Sequence, residues 1–466
     1  MATRAEGLTW RASAPGQVPV ISYEEALRYL YSFTNYETRA APRGAFKLTR
    51  MERLLDVAER PERRYPSVLV AGTKGKGSTA AMLAAIATAA GKRVGFYSSP
   101  HLNTHRERYR LQGAPIAKDV FVQQVAQLPG LLAEMERRWP ELGAVTLFEL
   151  CTLLAFRWFA EEVVDLAVVE VGVGGRLDCT NVLRPQLSLI APISYDHRDV
   201  LGNTLTEIAF EKAGIIKPGH LVLSAPQTDE AAAVLRRVAA EQSAPLRMVP
   251  PGAPVGDPLR IVAGPPLPPR LGQWFRPQQW PEAEEPCWLS LLGEHQLTNA
   301  AVAVEAATEL GFGEAAIRQG LADVRWPGRL EVLRAQPLTV GDGAQNGASM
   351  ERLVEALRRH FSYRRLRLVL GFSADKEIPA MARVLNPVAD EIILTRSRHP
   401  RAANPAALRA HFPTGHITDS LEEALALVDA HACPEDLTLV TGSLFPVGGA
   451  RFLYGLVPPE EQDPLD

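Results

Sequence analysis

Residues 68–79, VLVAGTKGKGST, carry the sharpest chemical signal in this sequence. A β-rich run feeds a glycine-rich turn, and the turn opens an alanine-rich helical pattern. Backbone N–H groups in such a turn lack intrahelical partners, and the helix dipole points the same way, so together they bind phosphate. Gly75, Lys76, Gly77 and Ser78 are the candidate phosphate-binding residues. Lys76 supplies a point charge for the outer phosphates, and Ser78 a hydroxyl for them or for a metal-bound water. The match to GxxxxGK[ST] is incomplete, because residue 70 is Val and Gly77 stands where the hydroxyl residue would be. A glycine loop without a ligand is the plain alternative; the strand before and the helix after favour nucleotide binding.

In an open parallel sheet, ligands bind at the carboxyl ends of the strands. Apolar runs ending near residues 98, 169 and 194 deliver Ser99, Glu170, and Asp196 with His197 to such ends. Magnesium prefers oxygen ligands, and a carboxylate after a hydrophobic strand is the expected metal anchor of a P-loop enzyme. On position alone Glu170 fits a helix cap as well, and histidine is an unusual magnesium ligand. The loop VGVGGRLDCTN (171–181) has glycines at 172, 174 and 175, which demand positive φ or close approach of a ligand. It puts Arg176 and Asp178 either above the site or in a solvated turn. Lys212, near the end of a helical stretch, reads by residue type as a surface charge.

The elements that must position these residues alternate along the chain. A short helix is expected at 23–33. Strand-like runs at 67–72, 94–99, 165–172, 187–194 and 220–225 are separated by helical stretches, one of them at 79–90, which indicates a parallel sheet covered on both faces. Between 242 and 289 proline and glycine are dense, predicting an irregular β region with surface loops. Helix returns at 295–311, and WPGR (326–329) reads as a hinge. From residue 338 strands and helices alternate again as a second, smaller α/β domain.

Composition narrows the function classes. A chain of 466 residues has length for two to three domains, with ordinary globular hydrophobic (46%) and charged (22%) fractions. Fifty Lys+Arg against 53 Asp+Glu leaves no basic excess for nucleic acid or an anionic membrane. The longest charge-free helical stretch, 77–91, falls short of the ~18–20 residues of a membrane span. Residues 1–16 show no apolar core of a secretory signal. Cys151, Cys179, Cys287 and Cys433 are far apart without a CxxC, so they read as thiols in a reducing compartment. The expectation is a soluble cytoplasmic protein, monomeric for want of a heptad or apolar stripe.

Several segments together resemble one family: AGTKGKGST (71–79), SSPHLNTHRERYRLQG (98–113), TLFE (146–149), EVGVGGRLDCTNV (170–182), DHRDVLGNTLTEIAFEKAGIIKPG (196–219), HQLTNAA (295–301), WPGR and DGAQN (342–346). In order and spacing they are similar to the folylpolyglutamate synthase/dihydrofolate synthase family, amide ligases of the Mur ligase superfamily, over about residues 23–453. The resemblance implies an N-terminal P-loop ATPase domain (1–325, including the irregular Pro-rich β region at about 242–290). It implies a Rossmann-like C-terminal domain on the amino-acid side (326–466), with the site in the cleft. ATP would phosphorylate a carboxylate of a pterin substrate, and the amine of an amino acid, normally glutamate, would displace phosphate.

By the same resemblance Gly75, Lys76, Gly77 and Ser78 hold the phosphates, and Ser99, Glu170 and His197 ligate Mg2+. Asn299 contacts adenine, Arg329 the phosphates and Asp342 the ribose. Phe148 and Asp178 line the pterin pocket with Ser98, and Gln345 lies on the amino-acid side. Lys76, Glu170, His197 and Lys212 form the catalytic set. Lys212 resembles a lysine carried as a carbamate, an anion suited to a magnesium site. A carbamate forms only from the neutral amine, so this lysine is expected to have a depressed pKa.

Departures from the family pattern fall in two places. Lys74 replaces Asn in the P-loop, adding a positive charge near the phosphates. In DGAQNG, Gln345 replaces His and Gly347 replaces Pro, so the amino-acid half is expected to differ while the nucleotide half is intact. Three alternatives to the pterin–glutamate ligase stand: a ligase with another acid or amine, a binding homologue without catalysis, and a kinase that stops at the phosphorylated product.

Overall fold

The structure, a computed structural model, describes residues 21–36, 47–280 and 285–463. The expectation about residues 1–16 lies outside them. Short runs of Val, Leu, Ile and Ala build an eight-stranded sheet. Its parallel part runs in the spatial order Val94–Tyr97, Leu166–Glu170, Ser67–Ala71, Leu187–Ile190, Val222–Ser224, Leu246–Met248. Tyr109–Leu111 and Ala114–Pro115 add antiparallel strands at the Val94–Tyr97 edge. The inner strands are buried along their whole length, which is why they read as continuous apolar runs without alternation.

Helix Lys76–Ala89 follows Ser67–Ala71 directly and is buried nearly all round, as its small and apolar sequence KGSTAAMLAAIATA allows. It packs against Glu294–Glu309 and Glu314–Asp323 on one face of the sheet. Close packing is obligatory there, because a Cβ on Gly320 would overlap the Ile86 backbone. The other face is covered by Tyr23–Tyr31, Leu48–Val57, Lys118–Ala126, Leu128–Arg138 and Leu147–Glu161. The last of these starts at a capping box in which Thr146 and Glu149 satisfy each other's backbone N–H groups.

Helix Lys76–Ala89 starts three residues earlier than the sequence pattern predicts. Gly75 adopts φ +84° at the N-cap, a left-handed conformation that glycine takes without strain, and Gly77 is tolerated in the first turn. The proline-rich stretch divides three ways. Leu246–Met248 closes the edge of the main sheet, and Ala253–Pro254, Gln273–Arg276 and Cys287–Leu289 form a small antiparallel sheet. Ile261–Val262 pairs in parallel with Phe361–Ser362, and Ile261 is buried in the C-terminal core.

The C-terminal domain carries a six-stranded sheet in the order Glu331–Arg334, Leu338–Gly341, Leu437–Thr441, Leu366–Leu370, Glu391–Leu394, His416–Ile417. All neighbours are parallel except the first pair. Helices Gly347–His360, Ile378–Leu385, Leu421–His431 and Leu444–Leu453 cover it. The protein is thus α/β with a parallel-rich N-terminal sheet and a second α/β sheet domain. Cys151, Cys179 and Cys287 are buried, Cys433 is partly so, and none of the four forms a disulfide among the described residues. Among the described residues no helix is long and apolar enough to cross a membrane.

Gly347 occupies the first turn of Gly347–His360, after the N-cap Asn346, whose backbone is extended (φ −154°, ψ 168°). Proline is favoured at that helical position, and an extended residue before it is compatible with the ring. Gly347→Pro is therefore expected to stabilise the protein by about 0.4–1 kcal/mol through the unfolded chain. A Cβ there would sit 3.2 Å from Ala380 Cβ, a contact that must yield slightly. A thermal midpoint equal to or below that of the parent would show that the Ala380 contact wins.

Candidate active site

The carboxyl ends of both sheets open onto one cavity of about 2000 Å³ between the domains. Its walls include Gly75, Lys76, Gly77, Ser78, Ser99, Phe148, Glu170, Asp178, His197 and Lys212 from the first domain. Asn299 also lines it, as do Arg329, Asp342 and Gln345 from the second. Ser98 is the exception. It is buried away from the cavity wall, with its N–H donating to the Arg108 carbonyl at 3.1 Å. Successive residues leaving a strand point to opposite faces, so Ser99 takes the cavity side.

The turn after Ser67–Ala71 leads straight into the first turn of Lys76–Ala89, so the free N–H groups of the helix start face the cavity. Register places Glu170 beside Val70 on the neighbouring strand. Its carboxylate accepts from the Ser99 N–H at 3.4 Å and is buried. Burial pushes this carboxyl up, against the opposing pull of Lys76 and the Ser99 N–H. Glycine is required at the turn. A Cβ on Gly75 would overlap Asn299 Oδ1, and one on Gly77 would lie 2.8 Å from the Trp326 ring and 3.3 Å from Glu170 Oε2. Gly75→Ala combines that overlap with φ +84°, a strain of ~1–3 kcal/mol. It is expected to weaken ATP binding roughly tenfold or more in a calorimetric titration. Unchanged affinity would remove Gly75 from the phosphate loop.

Lys212, read by type as a surface charge, is 3% exposed. Its Nζ donates to the Gly72 carbonyl at 2.9 Å, under the phosphate loop. Burial, reinforced by the charge of Lys76, lowers its pKa to about 7. Lys74 does not add a free charge near the phosphates: its Nζ pairs with Asp196 at 2.8 Å. Burial opposes it, yet Lys74, His197 and Lys376 hold the Asp196 carboxyl well below the usual range. His197 is exposed on the cavity wall in a left-handed conformation, φ +48°.

Several side chains given ligand roles by the resemblance also brace the chain. Asp342 accepts from the Leu330 and Ala344 N–H groups at 2.9 and 2.8 Å, tying the hinge to the end of Leu338–Gly341. Asp178 accepts from Val173 N–H (3.0 Å), Thr180 N–H (3.0 Å) and Thr180 Oγ1 (2.6 Å), fixing the glycine loop. Phe148 lies against Gly172, where a Cβ would come 2.5 Å from its ring. Asn299 donates to Gln296 Oε1 at 2.9 Å and packs on Gly75. The Gln345 N–H donates to Ser349 Oγ at 3.1 Å at the start of a helix capped by Asn346. Arg176 is off the cavity wall, paired with Glu211 at 2.7 Å and stacked over Phe210.

Sequence reasoning missed three contributors. Lys376, 3.8 Å from Asp196, brings a cation from the second domain into the cavity. It follows the carboxyl end of Leu366–Leu370, so the strand-end rule would have found it. Trp326 of the hinge lies across Gly77 and against Phe96 at 5.5 Å between ring centroids. Arg50, in a helix the periodicity did not single out, holds both oxygens of buried Glu149 at 2.8 and 2.9 Å in the cavity wall.

Donor chemistry at the phosphate loop suits a hard cation. Glu170, Ser78 and Ser99 offer oxygens, and His197 a nitrogen, which magnesium takes less readily. Among the described residues no group of three or more His, Cys, Asp or Glu side chains forms a closed metal cage.

Comparison with known proteins agrees with this geometry. Residues 70–307 match the Mur ligase middle domain, and residues 328–444 the Mur ligase, glutamate ligase domain. The chain is 33% identical over 413 residues to the dihydrofolate synthase/folylpolyglutamate synthase of Bacillus subtilis, covering 87% of this chain and 94% of that one. It is also 33% identical to the folylpolyglutamate synthase of Lacticaseibacillus casei over 438 residues, 92% of this chain and 98% of the other. Folylpolyglutamate synthase of Mycobacterium tuberculosis, complexed with ADP and AMPPCP, superimposes with a TM-score of 0.79 at 33% identity, over 88% of this chain and 95% of that one. E. coli FolC in complex with DHPP and ADP gives 0.79 at 27% identity, over 93% and 98%. A phosphate loop facing a second domain across one cavity, joined to these similarities over nearly the whole chain, means that the chain belongs to the folylpolyglutamate synthase/dihydrofolate synthase family of Mur ligases and is an ATP-dependent ligase.

Proposed function

We propose that the protein joins L-glutamate to the carboxylate of a pteroate or folate, releasing ADP and phosphate. The observation that carries this reading is the single cavity shared by Lys76 and Lys212 of one domain and Gln345 and Lys376 of the other. A phosphoryl donor and an incoming amine can meet there. A carboxylate is a poor electrophile, so a carboxylate oxygen first attacks the γ-phosphorus of ATP, ADP leaves, and an acyl phosphate forms. The glutamate nitrogen then adds to the acyl carbon, loses a proton, and expels phosphate as the amide forms. The protein contributes positioning and charge neutralisation.

In this reading the first-turn N–H groups, Lys76 and Arg329 cradle the phosphates. Asn299 and Asp342 lie toward the nucleoside, and Phe148 offers a flat ring for the pterin to stack on. Asp178 presents the glycine loop as a pocket wall. Glu170, Ser99 and His197 would hold magnesium, with Ser78 nearby, and the cation would neutralise phosphate charge. Lys212 is suited to carbamylation because it is buried with a pKa near 7, leaving a neutral amine available at neutral pH. The same reading divides the domains at 325/326, beside the hinge, and takes the protein as a cytoplasmic monomer.

A kinase has no need of the second domain's wall, and a mere binder no need of the buried Lys212. Phosphate release is the decisive assay: ATP and magnesium, with dihydropteroate or tetrahydrofolate crossed against glutamate and other amino acids, and products identified by mass. Glutamate-dependent amide is expected, making Gln345 a tolerated variant. Turnover with another amine alone would move the acceptor. ATP binding without turnover in any combination would overturn the ligase reading for these substrates.

A further inference from the structure

The C-terminal tail returns to the N-terminal domain. After helix Leu444–Leu453 and the turn Pro459–Glu461, Asp463 is buried against the opening helix and the segment that follows Val94–Tyr97. Asp463 Oδ1 accepts from the Tyr23 hydroxyl at 2.6 Å and the Thr104 hydroxyl at 2.9 Å, and Oδ2 from the His105 N–H at 2.6 Å. Arg106 pairs with Glu461, and Lys118 donates to the Glu460 carbonyl. On its other side the same segment is gripped by the C-terminal helix. Asn103 Nδ2 donates to the Gly448 carbonyl at 2.7 Å, Arg451 Nε donates to Asn103 Oδ1 at 3.1 Å, and a Cβ on Gly448 would overlap the Leu102 carbonyl.

Segment 98–108 is therefore shaped by both domains. It also feeds the cavity, contributing Ser99, His101 and buried Arg108, whose Nε donates to His101 Nδ1 at 3.0 Å. Thr104 is the N-cap of the one-turn helix His105–Arg108, so the Asp463 contacts to Thr104 and His105 set where Arg108 begins. The chain crosses between domains at Ile261–Val262, at the hinge near 326–329 and again through this tail.

We propose that Asp463 is a positioning residue: it clamps segment 98–108 so that the Arg108 guanidinium, with His101 as its acceptor, is held at the cavity wall that faces the carboxylate substrate. The substrate half of the proposal rests on the ligase reading above. The two can fail separately, because the clamp is read by hydrogen exchange without turnover.

Asp463→Ala removes the acceptor of three hydrogen bonds and leaves Tyr23, Thr104 and the phosphate loop in place. Amide exchange over 98–108 is expected to accelerate at least tenfold, with exchange over 67–90 unchanged. The KM for the pterin acid is expected to rise about tenfold, with the KM for ATP unchanged. Asp463→Glu, which retains the carboxylate, is expected to recover part of both effects. Wild-type exchange and kinetics in the alanine variant would overturn the proposal. So would uniform loosening of the whole chain with both KM values raised, since that marks a contact for stability alone. If the wild-type enzyme turns over no pterin acid, the ligase substrate falls, while the exchange of 98–108 still decides the clamp.

Discussion

Lys76→Ala is expected to reduce ATP-dependent phosphate release by roughly 10³-fold or more while leaving a folded, soluble protein. Lys76 begins the buried helix Lys76–Ala89, yet among the described residues its ammonium forms no hydrogen bond or ion pair. Its charge faces the cavity beside Glu170, where burial has raised the carboxyl and Lys76 pulls it back. A charge not committed to the fold can be removed at little cost to stability, and alanine is a good helix former. The loss therefore belongs to the transferring phosphoryl group, whose charge the ammonium neutralises. Circular dichroism and the thermal midpoint test the fold, and phosphate release tests the chemistry. Near-normal turnover in a folded variant would falsify the phosphate-site assignment.

Lys212→Arg is expected to be nearly as damaging, by about 10²–10³-fold. Arginine keeps the positive charge and cannot lose it, whereas burial and Lys76 bring Lys212 to about 7. The wild-type rate should then rise with pH from 6 to 8 as the neutral amine accumulates, about tenfold per unit well below 7, then level off. The sign for stability follows from the same shift. Between about 7 and the ordinary lysine value near 10.4 the unfolded chain binds more protons than the folded one, so stability rises with pH across that window. Below about 7 both states are protonated, and the full cost of burying the cation is present. Lys212→Met removes that cost and is expected to be at least as stable as wild type at pH 6, despite the lost bond to the Gly72 carbonyl. If Lys212 is carbamylated, bicarbonate raises the wild-type rate and the intact mass by one carboxyl, and neither variant responds. A flat pH–rate profile together with an active arginine variant would remove Lys212 from the mechanism.

The amino-acid side of the cavity differs in kind from the nucleotide side. Asn346 caps helix Gly347–His360 whether or not its neighbour is histidine, and the Gln345 backbone is fixed by Ser349. Substitution at Gln345 thus changes the chemistry presented to the cavity without unmaking the local fold. Acceptor selectivity is accordingly expected to respond to Gln345→His in the crossed substrate assay, while ATP binding stays the same.

The elements that place the phosphate loop were legible in the sequence because their signals are local. Four apolar residues after Ser67, a glycine that must take positive φ and a small-residue helix specify Ser67–Ala71, Gly75 and Lys76–Ala89 within about twenty residues. The strand-end rule likewise put Ser99, Glu170 and His197 on the cavity wall. Ser98, given a substrate role by the resemblance, is buried off the cavity wall for an equally local reason, the alternation of faces as the chain leaves a strand.

What only the tertiary structure decided are facts about residues far apart in the chain. The lysine at 212 looks like any surface charge until packing buries it beneath Gly72 and Lys76; burial is a property of the assembled fold, and so is the lowered pKa that follows. Lys74 looks like an extra charge for phosphate until Asp196, 122 residues away, takes it up. Ile261 sits in a stretch belonging by sequence to the first domain, yet it completes the core of the second. The grip of Asp463 on Tyr23 joins residues 440 apart. Composition and periodicity encode what a segment prefers over a few turns of chain. Which buried groups neutralise one another depends on long-range closure, where desolvation and pairing compete, and that competition is settled only when the segments meet.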